Sequence, residues 1–565
     1  MTTPAPASPS QPAPRRTDWY LVGIVSAFFL CLLPAASFYI NQYIDENFYT
    51  DSAILMLDSG DPMVPLYANG RVRALKPILT YWALLVSYAT LGVSAFSSRL
   101  PFLLGGCAAL VLVYRIALRV AAGNVAVARL AALIAACNTL FLLSSFRSTT
   151  DVFLCVTFLI SLLGFMKIID GGRSDPLAHF LAYGGVGLGI AVKGLLPLLF
   201  LLVILLFFFW LRPNGRTLRD LVNLPAMGLG IFLAGWWYVY IHALQPDLLR
   251  SDFLNDQFVE KYELELEDII KHLKGYFFYI GAVFLPWILI FLTRQGRATF
   301  RTLWSRPGPH RFEQLTALWL AFITLVFSGG HIEKMIYMLP FAPFLCIVLA
   351  RVHVGAPEAS RRVLLLAVRI MSVLYLLLAV FMGLMMMRLV SPGFGIFSAL
   401  VFALVGVALW ICGQRWPPAP VFAASILVLF PVSVMVIAPV ALPDPGTMAA
   451  RAVEARGLQG LREVYFHGYR MDGSKIRVAL HGKTKVIPVS LYRARKLRGR
   501  ALLIADKPLP EISKRPGVST EVIRSRVSYI PYGLVFRHFW NDQIVGIMDE
   551  ARNVYYLYEL PAETK

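Results

Sequence analysis

The residues best suited to chemistry begin just after the first apolar run. Asp45-Glu46 are followed by Ser59-Gly60-Asp61-Pro62, Pro65, Asn69-Gly70 and Lys76-Pro77. Two adjacent carboxylates at the mouth of a membrane helix can supply a general base or bind a cation, or can simply begin a solvated loop. Asp151 follows Ser148-Thr149-Thr150 at the start of another apolar run. A helix dipole favours an acid there, so Asp151 reads either as a first-turn helix residue or as the partner of the first acidic pair. Cations complement these acids. Lys193 interrupts the run GLGIAVKGLLPLLF, Lys334 lies between Gly329-Gly330-His331 and Tyr337-Met338-Leu339-Pro340, and Lys76 and Arg147 add two more. Ionisable groups at membrane depth usually face a cavity and mark a ligand path, although each long side chain can also snorkel to headgroups. Several together suit a lipid phosphate, held by charge-assisted hydrogen bonds. His272, at the end of the acidic stretch 244–272, is a candidate base or ligand; His331 is a weaker one.

These residues must be positioned by membrane helices. The chain has 565 residues, of which 58% are hydrophobic and 15% charged, too little charge for a soluble protein of this length. Mean hydropathy is +0.64. Thirteen apolar windows are predicted to span: 20–41, 100–119, 124–145, 150–168, 177–193, 194–211, 223–243, 273–293, 313–328, 335–351, 363–387, 394–413 and 419–440. Each is roughly long enough to cross a hydrocarbon core as a helix. The net charge of +20 calls for anionic partners, but Arg and Lys cluster between spans, as the positive-inside rule wants, so nucleic acid is not expected. With residues 1–19 as a cytoplasmic tail, alternation puts Arg115/Arg119/Arg129, Lys167/Arg173, Arg212/Arg216/Arg219 and the arginines of 294–311 inside. Asp45, Glu46, Lys76, Arg147, Asp151, Lys193 and Lys334 then share the outer side. To keep this parity, residues 78–95 are expected to lie in the outer interface, where Tyr81, Trp82 and Tyr88 are at home.

The predicted architecture is therefore an all-α polytopic membrane protein with a small C-terminal α/β soluble domain. Residues 20–440 form the membrane domain with outer loops 42–99 and 244–272, and 441–565 form the soluble part. Strands are expected at Val464–Tyr469, Ile476–Leu480, Ala501–Ile504, Ile544–Ile547 and Val554–Tyr558, and a helix at Met448–Arg456. The six cysteines all lie in apolar stretches and imply no disulfide framework or metal motif. No nucleotide-binding glycine loop is present, which suits a lipid-linked donor.

The ordered series DENFYTDSAILMLDSGDPMVP, NG, LKPIL, YW, RLP, TTD, VKG and KMIYMLPFAP resembles the bacterial aminoarabinose transferase of lipid A modification and its protein O-mannosyltransferase relatives, a branch of the GT-C glycosyltransferases, over roughly residues 20–350. The resemblance implies a GT-C membrane fold and transfer of a sugar from a polyprenyl monophosphate donor to an acceptor outside the cytoplasm. It makes Asp45 and Glu46 the acidic pair of the first outer loop and Asp151 the second acidic position. It puts Lys76 near the donor phosphate and Tyr337 at the same site. The aminoarabinose branch has Arg two places after the acidic pair and Tyr-Phe-Glu before Lys-Pro-Pro. This chain has Phe48, Arg73-Ala74-Leu75 and Ile78 instead, and so lacks one candidate metal ligand. No cofactor is demanded; a divalent cation stays open.

The expected activity is that of an inner-membrane glycosyltransferase with its site and C-terminal domain in the periplasm. Its partners would be a polyprenyl-phosphate sugar, an envelope lipid, glycan or protein acceptor, and membrane lipids. The sugar and acceptor are not readable from the residues. A lipid-linked-sugar flippase also needs intramembrane charges, and a ligase using a diphosphate donor is a further alternative; no inverted repeat supports the flippase.

Overall fold

The computed structural model describes residues 17–38, 44–68, 70–248, 266–330, 334–389, 391–436, 445–455, 463–468, 470–482, 484–497, 501–524 and 554–561. Its first half holds helices α1 (Trp19–Phe38), α2 (Ile44–Ser59), α3 (Leu79–Leu91), α4 (Ala95–Val120), α5 (Val125–Ala136), α6 (Thr139–Ser145), α7 (Thr150–Gly171), α8 (Pro176–Lys193), α9 (Leu196–Leu211), α10 (Leu224–Leu244) and α11 (Pro246–Leu248). The second half of the membrane domain holds α12 (Leu266–Val283), α13 (Arg294–Ser305), α14 (Phe312–Ser328), α15 (Ala342–Gly355), α16 (Pro357–Leu389), α17 (Pro392–Arg415) and α18 (Pro418–Val436).

Several of these helices are apolar on all sides and show large apolar side chains on the outside of the fold, such as Ile231 at 72% and Leu404 at 68% exposed. Outward apolar faces at this density belong in lipid, and a helix satisfies its own backbone there. The chain is a multi-pass membrane protein. Six helices (α1, α4, α7, α10, α16, α17) are long and apolar enough to cross alone, and the pair α5–α6, bent by 61°, makes a seventh if counted as one span. The described parts of the thirteen expected windows fall mainly on helical segments, but length and composition do not establish thirteen crossings. α9, α14, α15 and the apolar part of α18 are shorter apolar helices. The windows 273–293 and 335–351 are each divided between an α-helix and a 3-10 turn, Trp287–Leu292 and Met335–Met338.

Glycines let α7, α8 and α10 approach closely. A Cβ on Gly164 would sit 2.3 Å from the Ala182 amide nitrogen, and one on Gly187 would sit 2.3 Å from the Gly230 carbonyl. Such small-residue contacts are how helices associate where lipid removes the hydrophobic drive. Because α7 and α8 are an antiparallel hairpin, Asp151 at the start of one and Lys193 at the end of the other meet on the same face. Gly194, at φ +93°, turns the chain directly towards α9.

At the opposite ends of these helices the cations assigned to a common side do gather. Arg119 pairs with Asp170, His310 Nε2 lies 3.0 Å from Asp170 Oδ1, Lys167 lies 3.1 Å from Asp175, and Arg173 Nε donates to Arg219 O at 2.6 Å.

The run 78–95 holds the helix α3. It packs on α2, and Trp82 Nε1 donates to Pro62 O at 2.7 Å and Trp237 Nε1 to Met63 O at 3.1 Å, which anchors the loop before it.

The C-terminal part contains α19 (Pro445–Ala455), β1 (Glu463–His467), α20 (Arg470–Ala479), β2 (Lys485–Pro488), α21 (Leu491–Lys496), β3 (Ala501–Ala505), α22 (Pro510–Ser513), β4 (Ser519–Arg524) and β5 (Val554–Leu560). The sheet order is β2-β1-β3-β5-β4; β1 is parallel to β2 and β3, and β5 is antiparallel to β3 and β4. Most expected strands are found, but Ile476–Leu480 is not one: Ile476–Ala479 end helix α20. Joining two parallel neighbours requires a crossover, and α20 is that crossover, burying Ile476 in the domain core. β2 and β4 are additional strands, and the expected strand Ile544–Ile547 lies outside the described residues.

Candidate active site

The two adjacent acids at the start of α2 have different surroundings. Glu46 is 1% exposed and is held by a fork: Arg99 Nε donates to its Oε1 at 2.8 Å and Nη2 to Oε2 at 3.1 Å. The Ser148 amide donates to Oε1 at 3.0 Å, while the Ser148 hydroxyl, 3.2 Å from Oε1, donates its one proton to Ser98 O at 2.8 Å. Arg99 Nη1 donates to Ala35 O at 2.8 Å, and its guanidinium lies 5.6 Å from the Phe146 ring centroid. Glu46 therefore ties the ends of α1 and α4 and the turn before α7 to α2, and its lone pairs are engaged. The Asp45 side chain is 47% exposed and stands 3.9 Å from Lys334 Nζ. Of the pair, Asp45 is the one that solvent or a ligand can reach.

Asp151 is buried in the first turn of α7 and ion-paired with Lys193. Each sits at the helix end whose dipole favours its charge. Lys193 Nζ also lies 5.6 Å from the Tyr337 ring centroid, and Tyr337 stacks on Phe327 at 4.7 Å and 17°. The Tyr49 phenol on α2 is driven up by burial, opposed by Arg73, while the charges of Asp45, Lys193 and Asp151 also reach it. Asp45, Lys334, Lys193, Asp151, Tyr337 and Tyr49 thus form one neighbourhood, built from four separate stretches of chain.

The loop leading to Lys76 has its own anchor. Leu66 bridges Val72, Arg73 N donates to Pro65 O at 2.7 Å, and Tyr67 N donates to Arg71 O at 2.8 Å, which closes a narrow hairpin. Arg73 turns inward, 4% exposed, with Phe48, Tyr49, Tyr67 and Tyr81 rings 5.0–5.8 Å from its guanidinium and a hydrogen bond to Tyr81 Oη. Cation–π contacts of this kind strengthen when desolvated. Lys76 is half-buried three residues later, at the approach to α3. Arg147 lies 5.5 Å from the Phe146 ring, beside the Glu46 cluster. His272 is 7% exposed and its Nδ1–H donates to Ser328 O at 3.2 Å, a link that fixes α12 to α14. His331 lies outside the described residues. Among the described residues no group of three or more His, Cys, Asp or Glu side chains is placed to hold a metal ion.

Arg99, Ser148, Arg73 and Tyr49 were not singled out by sequence. Arg99 had a signal: a cation in the first turns of a long apolar helix is expensive and implies a buried partner. The others had none that composition or spacing could carry.

The family described as dolichyl-phosphate-mannose-protein mannosyltransferase matches residues 75–239. An uncharacterized protein of Aquifex aeolicus is 27% identical over 310 residues, 54% of this chain and 58% of its own. An undecaprenyl phosphate-alpha-4-amino-4-deoxy-L-arabinose arabinosyl transferase of Shewanella sediminis is 25% identical over 324 residues, 56% of each chain. The matched region spans just over half the length of these curated relatives. The crystal structure of ArnT from Cupriavidus metallidurans bound to undecaprenyl phosphate superposes with a TM-score of 0.70 at 17% identity, covering 95% of this chain and 97% of that one. The chain has the fold of the GT-C glycosyltransferases and resembles, among them, the aminoarabinose transferases and protein O-mannosyltransferases.

Proposed function

We propose that this protein transfers a sugar from a polyprenyl monophosphate donor to an acceptor on the periplasmic face of a bacterial inner membrane. The observation that carries the proposal is the convergence of an accessible acid, Asp45, with Lys334 and with the Asp151–Lys193–Tyr337 group at the ends of separate helices. The relatives named for polyprenyl-phosphate chemistry support the same class of donor.

In this mechanism Asp45 takes the proton of the acceptor hydroxyl. The hydroxyl oxygen bonds to the anomeric carbon as the bond from that carbon to the phosphate oxygen breaks, and polyprenyl phosphate leaves with the electron pair. The phosphate gains one negative charge in that step, and Lys76, Arg147, Lys193 and Lys334 offset it, with Tyr337 beside them. Fixed charges aimed where charge develops often contribute more to catalysis than any other effect. Asp151 pairs with Lys193 and directs it, and Glu46 with Arg99 holds α2 in place. The lipid chains lie among the helices. Residues 441–565 and the loops 42–99 and 244–272 share the outer side with the sugar.

The test is incubation of purified protein in vesicles with radiolabelled polyprenyl-phosphate sugars and an envelope glycolipid extract. Label should move to the acceptor with release of polyprenyl monophosphate. Movement of intact donor across the bilayer without bond cleavage would replace the proposal by a flippase. Transfer only from a diphosphate donor would make the protein a ligase-type enzyme.

A further inference from the structure

The soluble domain meets the membrane domain through helix α20, and it does so next to both partners of the Glu46–Arg99 pair. Arg477 on α20 is buried, its side chain 3% exposed, with Nε 3.1 Å from Asp51 Oδ1 on α2. Its Nη2 donates to Val486 O at 2.7 Å, so the same guanidinium joins strand β2 to α2. Val478, the next residue, packs into the apolar cluster of Tyr49, Ala53, Ile54 and Tyr81. Just past the helix, His481 Nδ1–H donates to Val93 O at 3.1 Å. Gly482, at φ +67°, lies so close that a Cβ would be 3.0 Å from Val93 Cγ2. Asp51 is six residues, about 1.7 turns, beyond Asp45 on α2, and Val93, just before α4, is six residues ahead of Arg99.

We propose that α20 is a clamp that sets α2 against α4, with Arg477 as a positioning residue for the site that Asp45 and Glu46 begin. A buried ion pair is a poor source of net stability, because desolvation consumes most of its attraction, yet breaking it strands a charge. The best-attested use of such a pair is to select one arrangement among several. Here the arrangement selected is that of the helix bearing Asp45 and Tyr49, which is also tied by Glu46 to Arg99 at one end, by the Arg73 aromatic cluster beside it and by packing on α3. A catalytic group displaced by about 1 Å through a distant change can lose about 100-fold in rate. The clamp therefore gives the C-terminal domain a part in catalysis without its contributing a group to the reacting atoms. This inference rests on the glycosyltransferase reading for its kinetic consequence and on structure alone for its mechanical one.

The experiment uses full-length protein in nanodiscs and follows amide hydrogen exchange together with sugar transfer. Arg477→Met and Asp51→Asn should each speed exchange in residues 44–59 and 93–99, while β1 and β3 keep their protection. Turnover should fall about 10–100-fold with the donor KM changing less than about 2-fold, the pattern of lost positioning. The double variant should be no worse than the worse single one, and Arg477→Lys should recover part of the rate because charge returns without the fork. Arg495→Ala, on the far side of the same domain in a pair with Glu511, should change neither readout. Unchanged exchange in α2 with unchanged turnover overturns the clamp. So does loss of turnover only in step with loss of protection in β1 and β3, which makes Arg477 a fold residue of its own domain. If wild-type protein transfers no sugar from any polyprenyl phosphate, the functional reading fails, and the exchange measurement still decides the clamp.

Discussion

Replacing Asp45 and Glu46 one at a time, each by its amide, should separate two acids that are neighbours in sequence and opposite in role. Glu46 accepts three hydrogen bonds, two from Arg99 and one from the Ser148 amide, at 2.8–3.1 Å and 1% exposure. In Glu46→Gln one amide oxygen can keep the bonds at Oε1, but the NH2 group then faces Arg99 Nη2, donor against donor. Arg99 is left buried without a counter-charge, supported by that one amide oxygen, the Ala35 carbonyl and the Phe146 ring. Breaking a buried pair by removing one partner costs about 3–5 kcal/mol, and an isosteric amide that keeps one acceptor belongs near the lower figure. Asp45 is half exposed, with its lysine at 3.9 Å, so its pair is worth at most about 1 kcal/mol. Asp45→Asn should thus abolish turnover with little change in thermal stability, whereas Glu46→Gln should lower the unfolding temperature and lose turnover in proportion to misfolding. Thermal unfolding in nanodiscs and single-turnover transfer on the same preparations make the comparison. Wild-type stability with lost turnover in Glu46→Gln, or full turnover in Asp45→Asn, would refute the division of roles.

Lys76→Ala and Lys334→Ala should each weaken donor binding: a charge-assisted contact to phosphate is worth about 1.5–3 kcal/mol, or about 10–100-fold in kcat/KM, with partial recovery by Lys→Arg. Unchanged donor affinity in both variants would remove these lysines from the site. Lys193→Met should strand Asp151 and destabilise the protein, and adding Asp151→Asn should restore stability but not turnover, since both charges are then gone; a double variant no more stable than the single one would count against the pair. At the opposite face, hydrogen bonds from Arg129, with help from Tyr114, hold the Asp18 carboxyl at about 2, below its ordinary 3.8. That tie is complete at neutral pH, weakens as pH falls below the ordinary value and is lost as it passes the folded one, so Asp18→Asn should flatten the fall in unfolding temperature between those two values.

The sequence by itself determined what solvent each stretch must meet. Long apolar runs could only become helices in lipid, the moderate run at 78–95 became the helix α3 packed on α2, and the alternating tail became an α/β domain. It also marked the acids and lysines out of place in apolar surroundings, because an isolated charge in such a run is costly wherever the chain goes. Tertiary structure alone decided which charge answers which. Asp45 and Glu46 have the same neighbours in sequence, and only the arrival of Arg99, more than fifty residues on, buries one and leaves the other open. The run Ile476–Leu480, apolar but for Arg477, fits a strand or a half-buried helix equally well. The parallel pairing of β1 with β2 demanded a crossover, and α2 supplied a surface for its outer face. Hydropathy and periodicity act along the chain, so they can be read from it. Ion pairs and domain contacts act across space, between residues as far apart as Asp51 and Arg477, and exist only once the helices have packed.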